Sequence, residues 1–568
     1  MNEEGEGRRA TKVFVQPPPR LGNQYQDDTF LRAWLRRRLP VEVLRDIEPE
    51  LDEMGRLAGG ELYEFQLRDR LNEPQLTQWD AWGNRVDRIE VTPLWRRVAP
   101  LAASAGLIGI PYSRQHGQFS RVHQFALVYL FHPSSDLYTC PLAMTDGAAR
   151  TLTVSGNSQL IERAVPHLTS RDPAHAWTSG QWMTESTGGS DVGASLTVAR
   201  QRGDEWRLYG KKWFTSAITS QMALTLARPE GNGAGGSGLA MFYVETHGSD
   251  GRPNGIRIER LKDKLGTRKV PTAELTLEGA RAELVGENRG GTRNIEPMLV
   301  VTRAWNSVTS VASMRRGIAL AVAYAAERRA FGSSLSDLPL HVDTLAGMEA
   351  ETRAAFLLAF ELVELLGRQE SNDMTGDERA LLRLLTPIAK LLTAKQAVAV
   401  VIEAIEAFGG AGYVEDTGLP ALLRDTHVLP IWEGTTNVLA LDALLRGELS
   451  SGLAALLKRI ESCRAGIVEP RLADLAQMSA AAIMRVREWL KQHGEAAVMQ
   501  AGARRIAMTV GRALQLTLLI EHAQWSLATP GEDAAGAIAA ARRFGATPVD
   551  QLNQILPEES RALLQPDA

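Results

Sequence analysis

Cysteine is almost missing from this chain: Cys140 and Cys463 are the two thiols in 568 residues, far apart and without His or Cys neighbours at metal-ligand spacing. That excludes a disulfide framework and a zinc site, so no metal centre is expected, and it suits a reducing, cytoplasmic compartment. Long apolar runs are missing as well. No stretch reaches the roughly 18 uninterrupted apolar residues of a membrane-spanning helix, and the polar opening MNEEGEGRRATK lacks the apolar core of a signal peptide. Nor is there a surplus of one charge. The 63 basic residues against 67 acidic ones leave a net charge of -4, which argues against a bulk polyanion partner.

What is present is a globular composition, 44% hydrophobic and 23% charged, which excludes disorder and fibrous repeats. The length suits about three or four domains. From about Asp28 to Pro166 apolar residues recur at helical spacing, as in LRAWLRRRLPVEVLRDIEPELDEMGRLAG, so residues 1–176 are expected to form a helical domain. Its basic run Arg36, Arg37, Arg38 is read as a solvated helix face. Residues 177–290 change texture to short β-rich runs such as WRLYGKKWFTSA and GLAMFYVE between turn residues. There EGNGAGGSG lacks the Lys-Ser/Thr ending of a phosphate loop and is read as a hairpin loop. Long helical patterns return over 291–447 as a bundle, and 448–568 reads as appended helices.

Five motifs carry the chemistry. They are WMTESTGGSDVG (Trp182 to Gly193), KKWFTSA (Lys211 to Ala217), AERRAFG (Ala326 to Gly332), FGGAGY (Phe408 to Tyr413) and LLRDTHVLPIWEGTTN, ending at Asn437. The first is a turn-rich loop whose hydroxyls and backbone amides could meet a ring or a phosphate. In this order the five resemble the acyl-CoA dehydrogenase family, over roughly residues 90 to 445. FVQPPPRLGNQYQDD, CPLAMTDGAAR and the extra C-terminal helices resemble its AidB-like, adaptive alkylation-response branch.

The resemblance implies a fold: mainly α with a central β-domain, that is a helical N-terminal domain, a β-barrel or sandwich, a four-helix bundle and an appended helical region. It also implies a reaction. Dehydrogenating an acyl thioester removes an α-proton and a β-hydride, so it needs a carboxylate base on one side of the substrate and a flavin, FAD, on the other. Glu433 of IWEGT matches the base, and its apolar neighbours Ile431 and Trp432 are expected to strip water from it and strengthen it. Some family members carry the base on an earlier helix, just before an Arg matching Arg303, and this chain has Thr302 there. By resemblance, the Glu433 N–H would bind the thioester oxygen together with a flavin hydroxyl.

For the cofactor, Met183 and Thr184 match the loop along the flavin ring, Gly189 belongs to the same loop, and Ser190 matches the hydroxyl near the pyrophosphate. Trp213 and Thr215 match the stacking aromatic and its hydroxyl partner. Arg328, Phe331, Gly409 and Gly410 match positions that hold the FAD phosphates and adenosine, partly from a neighbouring subunit, and Thr435 and Asn437 follow the base towards the same nucleotide. Glu406 stands where the family commonly has Gln. The partners implied are an acyl-CoA substrate, an electron-transfer flavoprotein or another acceptor, and further copies of the chain in a homotetramer.

A different class of function is a DNA-associated flavoprotein of the alkylation response. Against it, thirteen Lys plus Arg and thirteen Asp plus Glu follow from Glu448 onward, leaving no net positive field there. A stripe through Arg504, Arg505 and Arg512 could share a helix face, and ion pairing is the favoured reading of it. Oxidase chemistry on the same fold, or a substrate other than a CoA thioester, stays open at this stage.

Overall fold

The computed structural model describes residues 16–446 and 448–565. The polar opening segment lies outside the described residues. The helix, sheet, helix order forms as expected. Helix α1 (Thr29–Arg38) starts where the Asp28 side chain accepts the Leu31 N–H at 2.9 Å.

Two N-terminal expectations are corrected. First, a hairpin interrupts the helical region: β1 (Gln75–Trp79) and β2 (Arg85–Glu90) pair antiparallel about a turn with Gly83 at φ 79°. The hairpin is anchored on the middle domain, where the Gln78 amide donates to the Ile258 and Glu259 carbonyls and Asp87 accepts the Ile258 N–H. Second, the basic run of α1 is not a solvated face. Arg36 pairs with Glu532, Arg37 with Glu521 and Arg38 with Glu364, so three successive cations each meet a carboxylate from the C-terminal half. Those partners lie more than 300 residues away in sequence, and neighbouring sequence could not reveal them.

Helix α2 (Thr139–Ser155) carries the CPLAMTDGAAR motif through the core. Inside it Asp146 is fully buried and accepts hydrogen bonds from Tyr112, Arg121, Gln124 and Trp305, a carboxylate satisfied on every side.

The middle domain holds β3 (Ser179–Trp182), β4 (Val198–Arg202), β5 (Glu205–Ser216), β6 (Met222–Pro229), β7 (Ala240–Glu245), β8 (Ile256–Leu261) and β9 (Thr272–Leu284). β6, β4, β5, β9 and β7 pair in a ring, because β7 returns to β6, and β3 and β8 attach to β6 and β9. Closure leaves the ring strands without free edges. EGNGAGGSG does join the antiparallel β6 and β7, and Arg228 donates to its Gly233 and Gly235 carbonyls.

Beyond the sheet run α3 (Glu296–Glu327), α4 (Pro339–Glu370) and α5 (Gly376–Ala407), followed by α6 (Leu419–Thr426) and α7 (Thr436–Leu445). α5 opens on a capping box between Thr375 and Glu378. The appended α8 (Leu449–Ala465), α9 (Pro470–Gln492) and α10 (Ala496–Ala528) do not stand apart, since their buried residues join the same apolar cluster as α1 to α5. Gln515 and Gln396 exchange hydrogen bonds between α10 and α5, and Arg459 of α8 bridges Glu361 and Glu521.

Candidate active site

The β-domain supplies one wall. Thr184 and Trp213 are brought together because the Trp213 N–H donates to the Thr184 carbonyl at 3.0 Å. Gly189 folds back on the same loop, and a Cβ there would stand 2.8 Å from the Thr184 hydroxyl. Met183 is buried against Ala148 and Ala149 of α2 and Met298 of α3. The sequence reading missed what fixes this loop: Glu185, 2% exposed, takes Lys212, 0% exposed, at 2.8 Å, together with the Leu196 N–H and the Thr197 hydroxyl. Lys212 alternates with exposed Lys211 along β5, which was the available signal.

Two expectations for this wall change in detail. The Thr215 hydroxyl is fully buried and donates to the Ala273 carbonyl at 2.6 Å, so its proton braces β5 against β9. One face of Trp213 is taken by the Lys262 ammonium, 3.8 Å from the ring centroid, leaving the opposite face and the edges for a ligand.

The helices supply the other wall. Glu433 follows α6 in a left-handed turn, φ 55°, with Gly434 at φ 101° behind it. Such a conformation costs a non-glycine residue about 1 kcal/mol or more and persists where the surroundings impose it. Three contacts do so. The Thr302 hydroxyl of α3 donates to Glu433 Oε2 at 2.6 Å, the Trp432 indole donates to Asn306, and the Lys390 ammonium of α5 donates to the Gly434 carbonyl at 2.7 Å. Lys390 was also missed, although a lysine inside LLTPIAKLLTA stands out on an apolar helix. Ile431 does not cover the carboxylate as expected. It is 61% exposed, and Trp432 alone of the pair packs on the core. Among the described residues the Glu433 N–H donates to nothing. The walls adjoin through α2: a Cβ on Gly147 would meet both Met298, packed with Met183, and Thr302, bonded to Glu433.

Arg328, Phe331, Gly409 and Gly410 gather elsewhere. Tyr324 at the end of α3 stacks on Phe408 at the end of α5, with centroids 4.2 Å apart, and so brings the two motifs to one end of the bundle. Phe331 is 96% exposed at φ 52°, and Gly409 has φ 60° with nothing near its Cβ position. Arg328 caps the same helix that holds Thr302, so at about 1.5 Å per residue it lies about 39 Å along the axis from Glu433's partner. No extended dinucleotide spans that gap.

The donor set fits a flavin dinucleotide. The Ser190 hydroxyl has no hydrogen-bond partner among the described residues, and Asn437 is exposed. Thr435, at the N-cap of α7, makes no side-chain cap bond, so the α7 N-terminus presents open N–H groups to an anion. A cavity of about 600 Å³ lies apart from this cleft, between the Tyr63 to Glu73 segment, α3, α6 and the β8–β9 loop, with Leu137, Leu429, Arg316 and Asp425 in its lining. Burial pushes Asp425 up to about 7 and Lys264 down to about 8 there. Neither Glu433 nor Trp213 lines it.

A closed β-barrel facing a helical bundle, with a turn-held carboxylate beside an aromatic and hydroxyl-lined loop, is the frame of a flavin-dependent dehydrogenase. The chain belongs to the acyl-CoA dehydrogenase family, a family of flavoprotein oxidoreductases. Residues 16–173 match the adaptive response protein AidB N-terminal domain, 180–280 the acyl-CoA dehydrogenase middle domain, 289–447 the acyl-CoA dehydrogenase C-terminal domain, and 453–562 the acyl-CoA dehydrogenase 11 C-terminal domain-like family. Acyl-CoA dehydrogenase family member 11 of Caenorhabditis elegans is 43% identical over 90% of this chain and 86% of its own length. The putative acyl-CoA dehydrogenase AidB of Escherichia coli (strain K12) is 32% identical over 76% of this chain and 79% of its own. The solved structure of C. elegans ACDH-11 in complex with C11-CoA superposes with a TM-score of 0.92, 39% identity, and 99% and 98% of the two chains covered.

Proposed function

We propose that this chain is an FAD-dependent acyl-CoA dehydrogenase that forms 2-enoyl-CoA, with Glu433 as the base. The observation that carries the reading is the Glu433 carboxylate, held in a left-handed turn by the Thr302 hydroxyl at 2.6 Å. With Oε2 engaged, Oε1 keeps its lone pairs for the α-proton, and the Glu433 N–H, unpartnered among the described residues, would bind the thioester oxygen as charge develops on it. FAD, when bound, supplies the acceptor for the β-hydride. Met183, Thr184, Gly189, Ser190, Trp213 and Thr215 would hold its ring and pyrophosphate, with Thr435 and Asn437 reaching the nucleotide. Binding of C11-CoA by the worm relative supports a CoA thioester as substrate.

Arg328, Phe331, Gly409 and Gly410 serve another copy's FAD in this reading, because they lie too far from Glu433 to serve their own. Such sharing needs at least a dimer; we assign the active assembly as a homotetramer built as a pair of such dimers, and an electron-transfer flavoprotein as the electron acceptor. The DNA-associated alternative loses part of its basic stripe, since Arg512 pairs with Glu351 at 3.0 Å and lies over Phe544. Anaerobic addition of acyl-CoAs of graded chain length to the purified protein tests the proposal. Bleaching of the flavin by one or more of them is expected, and a flavin indifferent to the whole series would refute it.

A further inference from the structure

Lys390 has no role in the mechanism described so far, yet its placement is costly. It lies mid-way along α5, 0% exposed, in a stretch that is otherwise buried and almost wholly apolar, from Leu384 to Ala394. Among the described residues its ammonium makes one hydrogen bond, 2.7 Å to the Gly434 carbonyl, and has no carboxylate within ion-pair distance. An ammonium buried without a counter-ion is disfavoured, and an apolar side chain of the same length would pack there more cheaply. The carbonyl it holds belongs to Gly434, the residue immediately after Glu433. Glu433 and Gly434 are two consecutive left-handed residues, and Gly434 has little room of its own, since a Cβ there would stand 2.8 Å from Leu439.

We propose that Lys390 is a positioning residue for proton abstraction: by gripping the Gly434 carbonyl, its ammonium fixes the left-handed turn that aims the Glu433 carboxylate. The proposal rests on Glu433 being the base. Thr302 fixes the far end of the side chain and Lys390 the backbone behind it, so the carboxylate is held from α3 and from α5 at once. A misplacement of about 1 Å at a reacting group can cost roughly a hundredfold in rate.

The charges facing the ammonium come from two elements. Burial pushes Lys390 down to about 7, the Glu433 carboxylate works against that, and Arg303 of α3, itself paired with Asp442 of α7 at 2.8 Å, adds to it. The ammonium is therefore half-populated near pH 7, is nearly complete well below it and is lost as pH rises through it. Proton abstraction should fall on the alkaline side as the grip weakens, and an arginine, which stays charged, should remove that limb.

The test is anaerobic exchange of the substrate α-hydrogen with deuterated solvent, using C11-CoA on the FAD-loaded parent, Glu433→Gln, Lys390→Met and Lys390→Arg. FAD per chain and melting temperature are recorded for each. Lys390→Met is expected to keep FAD and exchange about a hundredfold more slowly with unchanged C11-CoA affinity. Lys390→Arg should recover most of the rate and lose the alkaline limb. A Lys390→Met protein that exchanges at the parent rate overturns the proposal. Should neither lysine variant fold, the parent's own profile decides, and a rate that stays flat from about pH 6 to about pH 9 overturns it. Parent-rate exchange by Glu433→Gln instead removes the base assignment itself, which separates the two failures.

Discussion

The hydroxyl of Thr302 and the carboxylate of Glu433 meet at 2.6 Å across 131 residues of sequence, joining the long helix α3 to the turn after α6. By the resemblance, some family members carry the base at the Thr302 position. Here that position supplies the donor that orients the Glu433 carboxylate, the proposed base.

Thr302→Val keeps the shape of the side chain and removes this donor. Hydrogen bonds to charged groups contribute about 1.5 to 3 kcal/mol, so the α-proton exchange rate is expected to fall about tenfold or more as the carboxylate loses its fixed rotamer. Thr302→Ser restores a hydroxyl and should stay within about threefold of the parent. Equal rates for parent and valine variant, measured with FAD content unchanged, would leave Thr302 as a packing residue.

The sequence made the order of domains legible because the hydrophobic period changes from helical to alternating near Trp177 and back near Gly291. The proposed base and flavin loop were legible as short motifs, where several residues of one turn act together. What escaped were residues whose partners are distant in sequence. Lys212 with Glu185, Lys390 with the Gly434 carbonyl, and the three arginines of α1 each look like ordinary charges until the fold brings their partners within 4 Å. The β1–β2 hairpin escaped for a related reason. Its strands are short and half-exposed, and it is secured by hydrogen bonds to β8, which helical periodicity in its flanks conceals.

Stability should carry the mark of a buried histidine in α10. His522, 3% exposed between α1 and α4, is pushed down to about 3, first by burial and then by Arg37 and Arg353. Its folded value lies below the unfolded one, so its neutral form is fully compatible with the fold above about pH 6.5. As pH falls from there towards about 3 the unfolded chain takes up a proton that the folded chain refuses, and stability is lost at about 1.4 kcal/mol per pH unit. Relative to His522→Gln, the parent should lose ground at that slope in denaturant titrations. Parallel stability profiles for the two proteins would show that His522 is protonated in the fold.

In the proposed reading Arg328 and Glu433 serve different FAD molecules, so loss of Arg328 should act on assembly-dependent flavin binding. The parent is expected to elute and scatter light as a homotetramer with about one FAD per chain. Arg328→Ala should weaken FAD retention, with the turn at Glu433 undisturbed and the melting temperature of the flavin-free protein unchanged. A monomer that retains FAD would contradict the shared site.

Glu433 carries the most direct test, since its proposed role rests on the chemistry and on its geometry together. Glu433→Gln retains the size of the side chain and can still accept the Thr302 hydrogen bond through its amide oxygen. It has no basic site for the α-proton. Abstraction should therefore fall by at least the roughly hundredfold that a general base contributes, while FAD binding and acyl-CoA affinity persist. The two effects have to separate, because a variant that also loses FAD reports on folding and not on catalysis. Retained FAD with bleaching at the parent rate would show that the proton goes to another group. Retained FAD with slow bleaching, together with a normal melting temperature, would place the loss at the carboxylate itself.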